Sequence, residues 1–134
     1  MKLEEIIDAL HMADDESKAF YDSETRDIVW LSEYTMSRAE YEATSEALDE
    51  HGFVRLPTKR DIHEYGIMKD FIETVSEDAQ ERLWEAINGR GAFRRFKDTV
   101  VKLNLDQRWY DFRDAAFEKA AREWCEENDI EIED

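Results

Sequence analysis

Apolar positions follow a helical spacing at the start of the chain and an alternating spacing soon afterwards. Residues 3–10 carry Leu and Ile at i, i+3, i+4 and i+7, which is the pattern of an amphipathic helix. Residues 18–22 and 27–31 are rich in aromatic and β-branched side chains, and the polar stretch 23–26 between them is typical of a turn. These segments predict a β-hairpin with four side chains on one face: Ala19, Tyr21, Ile28 and Trp30.

The next pattern predicts a helix and a third strand. Ser37 and Glu40 have the spacing of a capping box, and apolar residues follow them at helical period. Gly52 is placed to end this helix. Residues 53–56 have strand character and stop at Pro57, so we expect a small antiparallel sheet of about three strands, the hairpin plus one.

From Thr58 onward the periodicity is helical. Four helices are predicted, and they start at four positions: Thr58, Ser76, Gly91 and Asp106. The last helix ends at Asn128. Residues 129–134 then form an acidic tail, which we expect to be frayed.

Together these elements predict an α+β fold in a single domain over residues 1–134. Residues 1–57 supply a helix, the hairpin, a second helix and a strand, and residues 58–128 supply four helices, so the C-terminal half is helix-dominated. The last two helices are expected to pack together through one aromatic cluster: Phe93, Phe96, Trp109 and Phe112.

Composition adds a strong negative charge to this fold. The chain has 134 residues, with 35 acidic and 18 basic side chains and a formal net charge of −17. No segment approaches the roughly 20 consecutive apolar residues of a transmembrane helix. The alternating start is not that of a signal peptide, so we expect none. A single cysteine, Cys125, excludes an internal disulfide framework.

The positive charges are concentrated in one segment. Residues 90–108, which we call the basic island, hold six basic and two acidic side chains, whereas residues 1–50 carry a net charge of −11. Two interpretations are open. The island either neutralises the acidic body through intramolecular ion pairs, or it forms an anion-binding surface, since clustered arginines suit phosphate and carboxylate groups.

The island also suggests where an anion would bind. On a helix, Arg90, Arg94 and Lys97 fall at i, i+4 and i+7 and form a row beside the core, while Arg95 lies further round. Glycines at 89 and 91 let the backbone approach a ligand closely, and an exposed Tyr110 could stack on a base. The candidate anion- or partner-binding residues are six: Arg90, Arg94, Arg95, Lys97, Arg108 and Tyr110.

A ten-residue string that overlaps the basic island resembles the signature of a known family. Residues 89–98 read GRGAFRRFKD, which resembles the signature of the uncharacterised bacterial family UPF0158. The resemblance covers nearly the whole chain, through five further segments: 6–10, 21–25, 56–71, 109–112 and 123–128. The chain departs from the family pattern at Arg26, where a glycine is expected after Thr25.

The resemblance implies kinship and a cytoplasmic bacterial setting. It implies no reaction, because the family has no assigned activity. No catalytic residue is carried over from it.

Patterns for catalysis or metal binding are weak. The three histidines, His11, His51 and His63, are far apart, and Ile67 stands where a metalloprotease helix has its second histidine. Acidic neighbours disfavour a thiolate at Cys125. Residues 14–16 lack the spacing of a calcium-binding loop. We therefore expect no catalytic residue, no cofactor and no metal.

The leading functional hypothesis is a non-enzymatic binding or regulatory module without membrane association. Its basic island would engage an acidic protein segment, a nucleotide or an RNA element. Two alternatives are open: an enzyme that acts on a phosphorylated substrate with the arginines as its clamp, and an acidic decoy that imitates a nucleic acid.

Overall fold

A three-stranded antiparallel sheet and a series of helices make up the described chain, which is residues 2–50 and 52–133 of a computed structural model. The predicted α+β fold is confirmed. Contacts divide the chain into two compact units: Met1–Ile62 with Phe117–Asp134, and His63–Ala116. We call these unit 1 and unit 2 and describe each by itself. The single domain over residues 1–134 stays a prediction.

Unit 1 opens with helix α1 (Leu3–Met12), whose apolar side faces inward as its spacing predicts. Ile6 and Leu10 are fully buried on this side. The Leu3 amide donates to the carbonyl of Glu133 at 3.4 Å, within an isolated bridge between Lys2 and Glu133. The expectation of a frayed tail is therefore wrong at Glu133, because its backbone is held against the start of α1.

The sheet of unit 1 contains the predicted hairpin, and the first strand of the hairpin is the central strand of the sheet. Its strands are β1 (Ser17–Asp22), β2 (Ile28–Ser32) and β3 (Phe53–Arg55), in the order β2-β1-β3. Ala19 lies opposite Trp30 and Tyr21 opposite Ile28, so these four side chains share one face of the hairpin, as predicted. Strand β3 pairs with the other side of β1, so the third strand is also confirmed.

The hairpin turn explains the glycine expected at position 26. Arg26 has a φ of 62°, in the left-handed region, and its amide donates to the Asp22 carbonyl at 2.8 Å. A glycine adopts this conformation freely, whereas other residues lose roughly 1–2 kcal/mol there. Arg26 adopts the conformation that a glycine would have in this turn, and the strands on either side pair with Tyr21 opposite Ile28.

Two more helices of unit 1 start at predicted caps. Helix α2 (Arg38–Glu50) follows Ser37, whose hydroxyl accepts the Glu40 amide at 3.2 Å. Helix α3 (Lys59–Ile62) follows Thr58, which exchanges hydrogen bonds with Asp61: the Thr58 amide donates to the carboxylate at 2.9 Å, and the Asp61 amide donates to the hydroxyl at 3.2 Å.

The long helix α7 (Asp106–Glu127) contributes residues 117–127 to unit 1. There, the indole of Trp124 donates to the Arg55 carbonyl at 3.1 Å and packs edge-on against the ring of Tyr21. Both rings are buried. The end of α7 is therefore joined to the sheet by an apolar contact and a hydrogen bond.

Unit 2 is helical throughout. It contains α4 (Glu64–Ile72), α5 (Glu77–Ala86), α6 (Ala92–Lys102) and residues 106–116 of α7. The sequence predicts one helix after Thr58, but α3 and α4 are separate, because His63 between them is left-handed with a φ of 59°. Ser76 caps α5 as predicted, since its hydroxyl accepts the Ala79 amide.

An aromatic cluster forms the core of unit 2. The Phe96 ring lies 4.8 Å from that of Trp109, and the Phe71 ring lies 5.5 Å from that of Phe112, centroid to centroid. Phe71 also contacts Phe96 and Trp109, and so occupies the centre. The predicted place of Phe93 in this cluster is wrong: 52% of Phe93 is exposed, whereas 1% of Phe96 is.

Candidate functional site

The basic island begins in a turn and continues along α6. Helix α6 starts at Ala92, so Arg90 lies in the turn before it and does not extend a helical row to Arg94 and Lys97. The turn needs its two glycines, because Gly89 and Gly91 have φ angles of 79° and 75°. The predicted row of three cations is therefore two helical residues preceded by one turn residue.

Arg95 holds this turn in place. Its Nε donates to the carbonyl of Ala86 at 2.9 Å, and its two terminal nitrogens donate to the carbonyls of Asn88 and Arg90. A side chain at position 91 would place its Cβ 3.1 Å from the Arg95 guanidinium. Arg95 thus caps the C-terminal end of α5, where unpaired carbonyls and the helix dipole favour a cation.

Arg108 has a similar role at another helix end. Its guanidinium donates to the Thr74 carbonyl at 3.2 Å, just beyond the C-terminus of α4. Tyr110, two residues later on α7, is 38% exposed. All six candidate residues are exposed. Arg95 and Arg108 donate hydrogen bonds to backbone carbonyls, whereas the side chains of Arg90, Arg94, Lys97 and Tyr110 make no hydrogen bond to a described residue.

No ion pair within the described residues uses the island. None of its six cations has a carboxylate oxygen of a described residue within 4.0 Å. Even Asp98, four residues after Arg94 on the same helix, is not paired with it. Intramolecular neutralisation predicts such pairs, because the chain has 35 acidic side chains to supply them.

Two exposed apolar residues accompany Arg94 and Lys97. Phe93 and Val101 are each 52% exposed. At about 100° per residue, these four side chains span roughly 100° of the helix, beside the buried side of Phe96 and Val100. We call Phe93, Arg94, Lys97 and Val101 the open face of α6. Helical phase relative to Phe96 is the sequence signal that would have placed Val101 there, whereas the same phase puts Phe93 at the edge of the buried side.

The other side of α6 has mixed charges. An open cleft of about 380 Å³ lies there. Its lining includes basic and acidic side chains: Arg82, Glu85, Arg95, Asp98 and Lys102. Because carboxylates stand among the cations, this cleft is less suited to an anion than the open face.

Asp14 and Cys125, which were candidates for metal binding and for nucleophilic chemistry, lie in surroundings that favour structural roles. The Asp14 carboxylate accepts the amides of Glu16 and Ser17, at 3.0 and 2.8 Å, and so shapes the turn into β1. Cys125 is buried, and burial raises the pKa of its thiol, which opposes a thiolate. Within residues 2–50 and 52–133, no group of three His, Cys, Asp or Glu side chains could hold a metal ion. His51 lies outside the described residues.

A comparison of the sequence with protein-family models shows which family the chain belongs to. A family model described as an uncharacterised protein family, UPF0158, matches residues 1–133. The chain belongs to the UPF0158 family. A search of curated proteins and a search of solved structures found no match to it.

In this UPF0158 protein, residues 89–98 of the predicted signature have two different tasks. Gly91 and Arg95 build the turn between α5 and α6, and Phe93, Arg94 and Lys97 belong to the open face. None of the described helices is both long enough and apolar enough to cross a membrane.

Proposed function

We propose that this UPF0158 protein is a non-enzymatic binding module of the bacterial cytoplasm, in which Arg90, Arg94 and Lys97 engage an anionic partner. The proposal rests on the exposure of these three cations and on their lack of ion pairs with described residues. They are exposed, and no described carboxylate lies within ion-pair distance of them, although the chain is strongly acidic.

Anchoring of the turn also supports the proposal. Arg95 fixes the carbonyls of Ala86, Asn88 and Arg90, so the backbone that carries Arg90 is held close to the start of α6. A fixed backbone lowers the entropy lost when the cations are ordered around a ligand. The bond from Arg95 to the Arg90 carbonyl leaves the side chain of Arg90 available.

The test measures binding to a heparin hexasaccharide by calorimetry at low salt. Arg94→Glu removes one cation and adds a like charge to the anion, so we expect affinity to fall about 10-fold or more. Lys102→Glu is the matched control: it makes the same charge change on the mixed-charge side of α6. We expect it to weaken binding about threefold or less, through the change in net charge alone.

Thermal melts accompany both variants. Arg94→Glu should melt close to the parent, because exposed substitutions usually change stability by about half a kcal/mol or less. If Arg94→Glu unfolds the protein and no separate binding defect remains, the island is a structural counter-charge and the proposal fails. If the parent ignores heparin and binds polylysine instead, the acidic surface is the functional one.

A further inference from the structure

The open face carries apolar side chains that anion binding alone does not use. Phe93 and Val101 lie eight residues apart, about 12 Å along α6, with Lys97 midway between them. Exposed apolar residues that stand singly are common on protein surfaces. Here two exposed apolar residues lie on one side of a helix, beside two cations that have no ion-pair partner among the described residues. The four side chains together form a surface that is partly apolar and partly positive.

We propose that the open face binds a partner protein through an amphipathic helix that carries carboxylates beside its apolar side chains. The inference rests on the proposed function and specifies its partner class. Carboxylates of the partner would pair with Arg94 and Lys97, and its apolar side chains would cover Phe93 and Val101. Charge complementarity to Arg94 and Lys97 favours a partner segment that is acidic. The exposed side chains of Phe93 and Val101 favour a segment that is also amphipathic.

The spacing fits a helical partner. Apolar residues seven or eight positions apart on a helix are separated by about 10–12 Å, which matches the distance between Phe93 and Val101 along α6. An RNA strand would stack on Phe93 and pair with Arg94, but it would gain little from the aliphatic Val101. A nucleotide would reach only one end of the face.

A second copy of this chain is a weaker candidate than another acidic protein. Each copy carries a formal net charge of −17, so two copies repel each other over the whole surface. A short acidic segment meets mainly the local positive field, because charges further than a Debye length of about 8 Å are screened at physiological salt.

The probe is a fluorescein-labelled amphipathic peptide of leucine and glutamate, with polyglutamate of equal length and polyuridylate RNA as comparisons. Fluorescence anisotropy measures each affinity for the full chain. The double variant Phe93→Ser, Val101→Ser removes the apolar surface and keeps the cations. Tyr34→Ser is its matched control, because Tyr34 is 71% exposed and belongs to unit 1.

We expect the double variant to lose about 10-fold or more in affinity for the amphipathic peptide, because two half-exposed side chains lose the burial they gain on binding. Its affinity for heparin should stay within about twofold, since the cations are intact. Tyr34→Ser should match the parent on both probes. Circular dichroism melts verify that the double variant is folded.

The outcomes separate this inference from the proposed function. If the double variant binds the peptide as the parent does, or if polyglutamate or RNA binds as tightly as the peptide, the partner class is wrong while anion binding by Arg94 stands. No peptide binding up to millimolar concentration also overturns the partner class. If Arg94→Glu leaves heparin binding intact, the proposed function fails and the inference fails with it.

Discussion

Arg94 and Arg95 are neighbours in sequence and are both exposed, but they differ in their hydrogen bonds. Arg95 donates to three carbonyls at the end of α5 and in the following turn. Arg94 is exposed, and no described carboxylate lies within ion-pair distance of it. Successive residues of a helix differ by about 100° in direction, so adjacent identical side chains can serve folding and binding separately.

The same contrast applies to Phe93 and Phe96. Three residues apart, they differ by roughly 60° in direction, which is enough to leave one half-exposed and bury the other. A count of arginines or aromatics in the island therefore does not show which of them are available to a partner. Their exposure and their hydrogen bonds do.

We expect the largest difference in stability between the Phe96→Ala and Phe93→Ala variants. Phe96→Ala opens a cavity between Phe71 and Trp109, and such a change costs about 3–5 kcal/mol of unfolding free energy. Phe93→Ala should cost about 1 kcal/mol or less, because half of the ring is already in water. Urea denaturation followed by tryptophan fluorescence measures both values.

Similar losses of unfolding free energy for the two variants would show that the two rings do not differ in burial. A Phe96→Ala protein as stable as its parent would mean that α6 has a different rotational position, and the open face would then be assigned to the wrong residues.

We expect a smaller difference in stability between the Arg95→Gln and Arg94→Gln variants. Arg95→Gln removes charge-assisted hydrogen bonds to the carbonyls of Ala86, Asn88 and Arg90, and we expect a loss of about 1–3 kcal/mol. Arg94→Gln removes the same charge without removing a bond, so it should change stability by about half a kcal/mol or less. Thermal melts of the two variants at one salt concentration give the difference. Equal stabilities would show that the turn does not depend on Arg95.

The smallest effect concerns salt. The excess of acidic side chains repels itself, and added salt screens this repulsion, so the melting temperature should rise by a few degrees over tens to hundreds of millimolar sodium chloride. Arg94→Glu makes the net charge two units more negative and should steepen the rise. Melts at four salt concentrations measure both slopes. A melting temperature that falls steadily with salt would show instead that attractive ion pairs dominate.

The sequence predicted the elements that depend on local patterns. Alternation predicted that Ala19 and Trp30 share one face of the hairpin, because successive side chains of a strand point to opposite faces. Capping residues located the starts of helices after Ser37 and Ser76, since their hydroxyls bond to amides a few positions along.

Features set by tertiary contacts were missed. His63 is left-handed without being a glycine or an asparagine, so nothing local separated α3 from α4. Phe71 was missed as the centre of the aromatic cluster, because three partners from two other helices define its position. In unit 1, the start of α1 is held against Glu133 by a backbone hydrogen bond, for which side-chain patterns give no signal.

The candidate site was predicted by charge and resolved by geometry. Clustered basic residues singled out this segment as the candidate, and that signal is independent of fold. The separate roles of Arg94 and Arg95 depend on where the α5 carbonyls end, which no charge count contains. Phe93 was assigned to the core because helical spacing groups it with Phe96, and the edge of a buried stripe is the place where spacing alone decides least.

Side-chain NMR of the unmodified protein directly tests whether Arg94 binds an anion while Arg95 stays bonded to the turn. The Nε–H resonances of Arg94 and Arg95, assigned with Arg→Lys variants, are followed during titration with a heparin hexasaccharide. We predict that the Arg94 resonance and the amide resonances of the open face shift with saturation, while the Arg95 resonance, already bonded to the Ala86 carbonyl, does not move. Shifts confined to Arg95 and Lys102, or to residues of unit 1, would contradict the assignment of the open face as the binding surface.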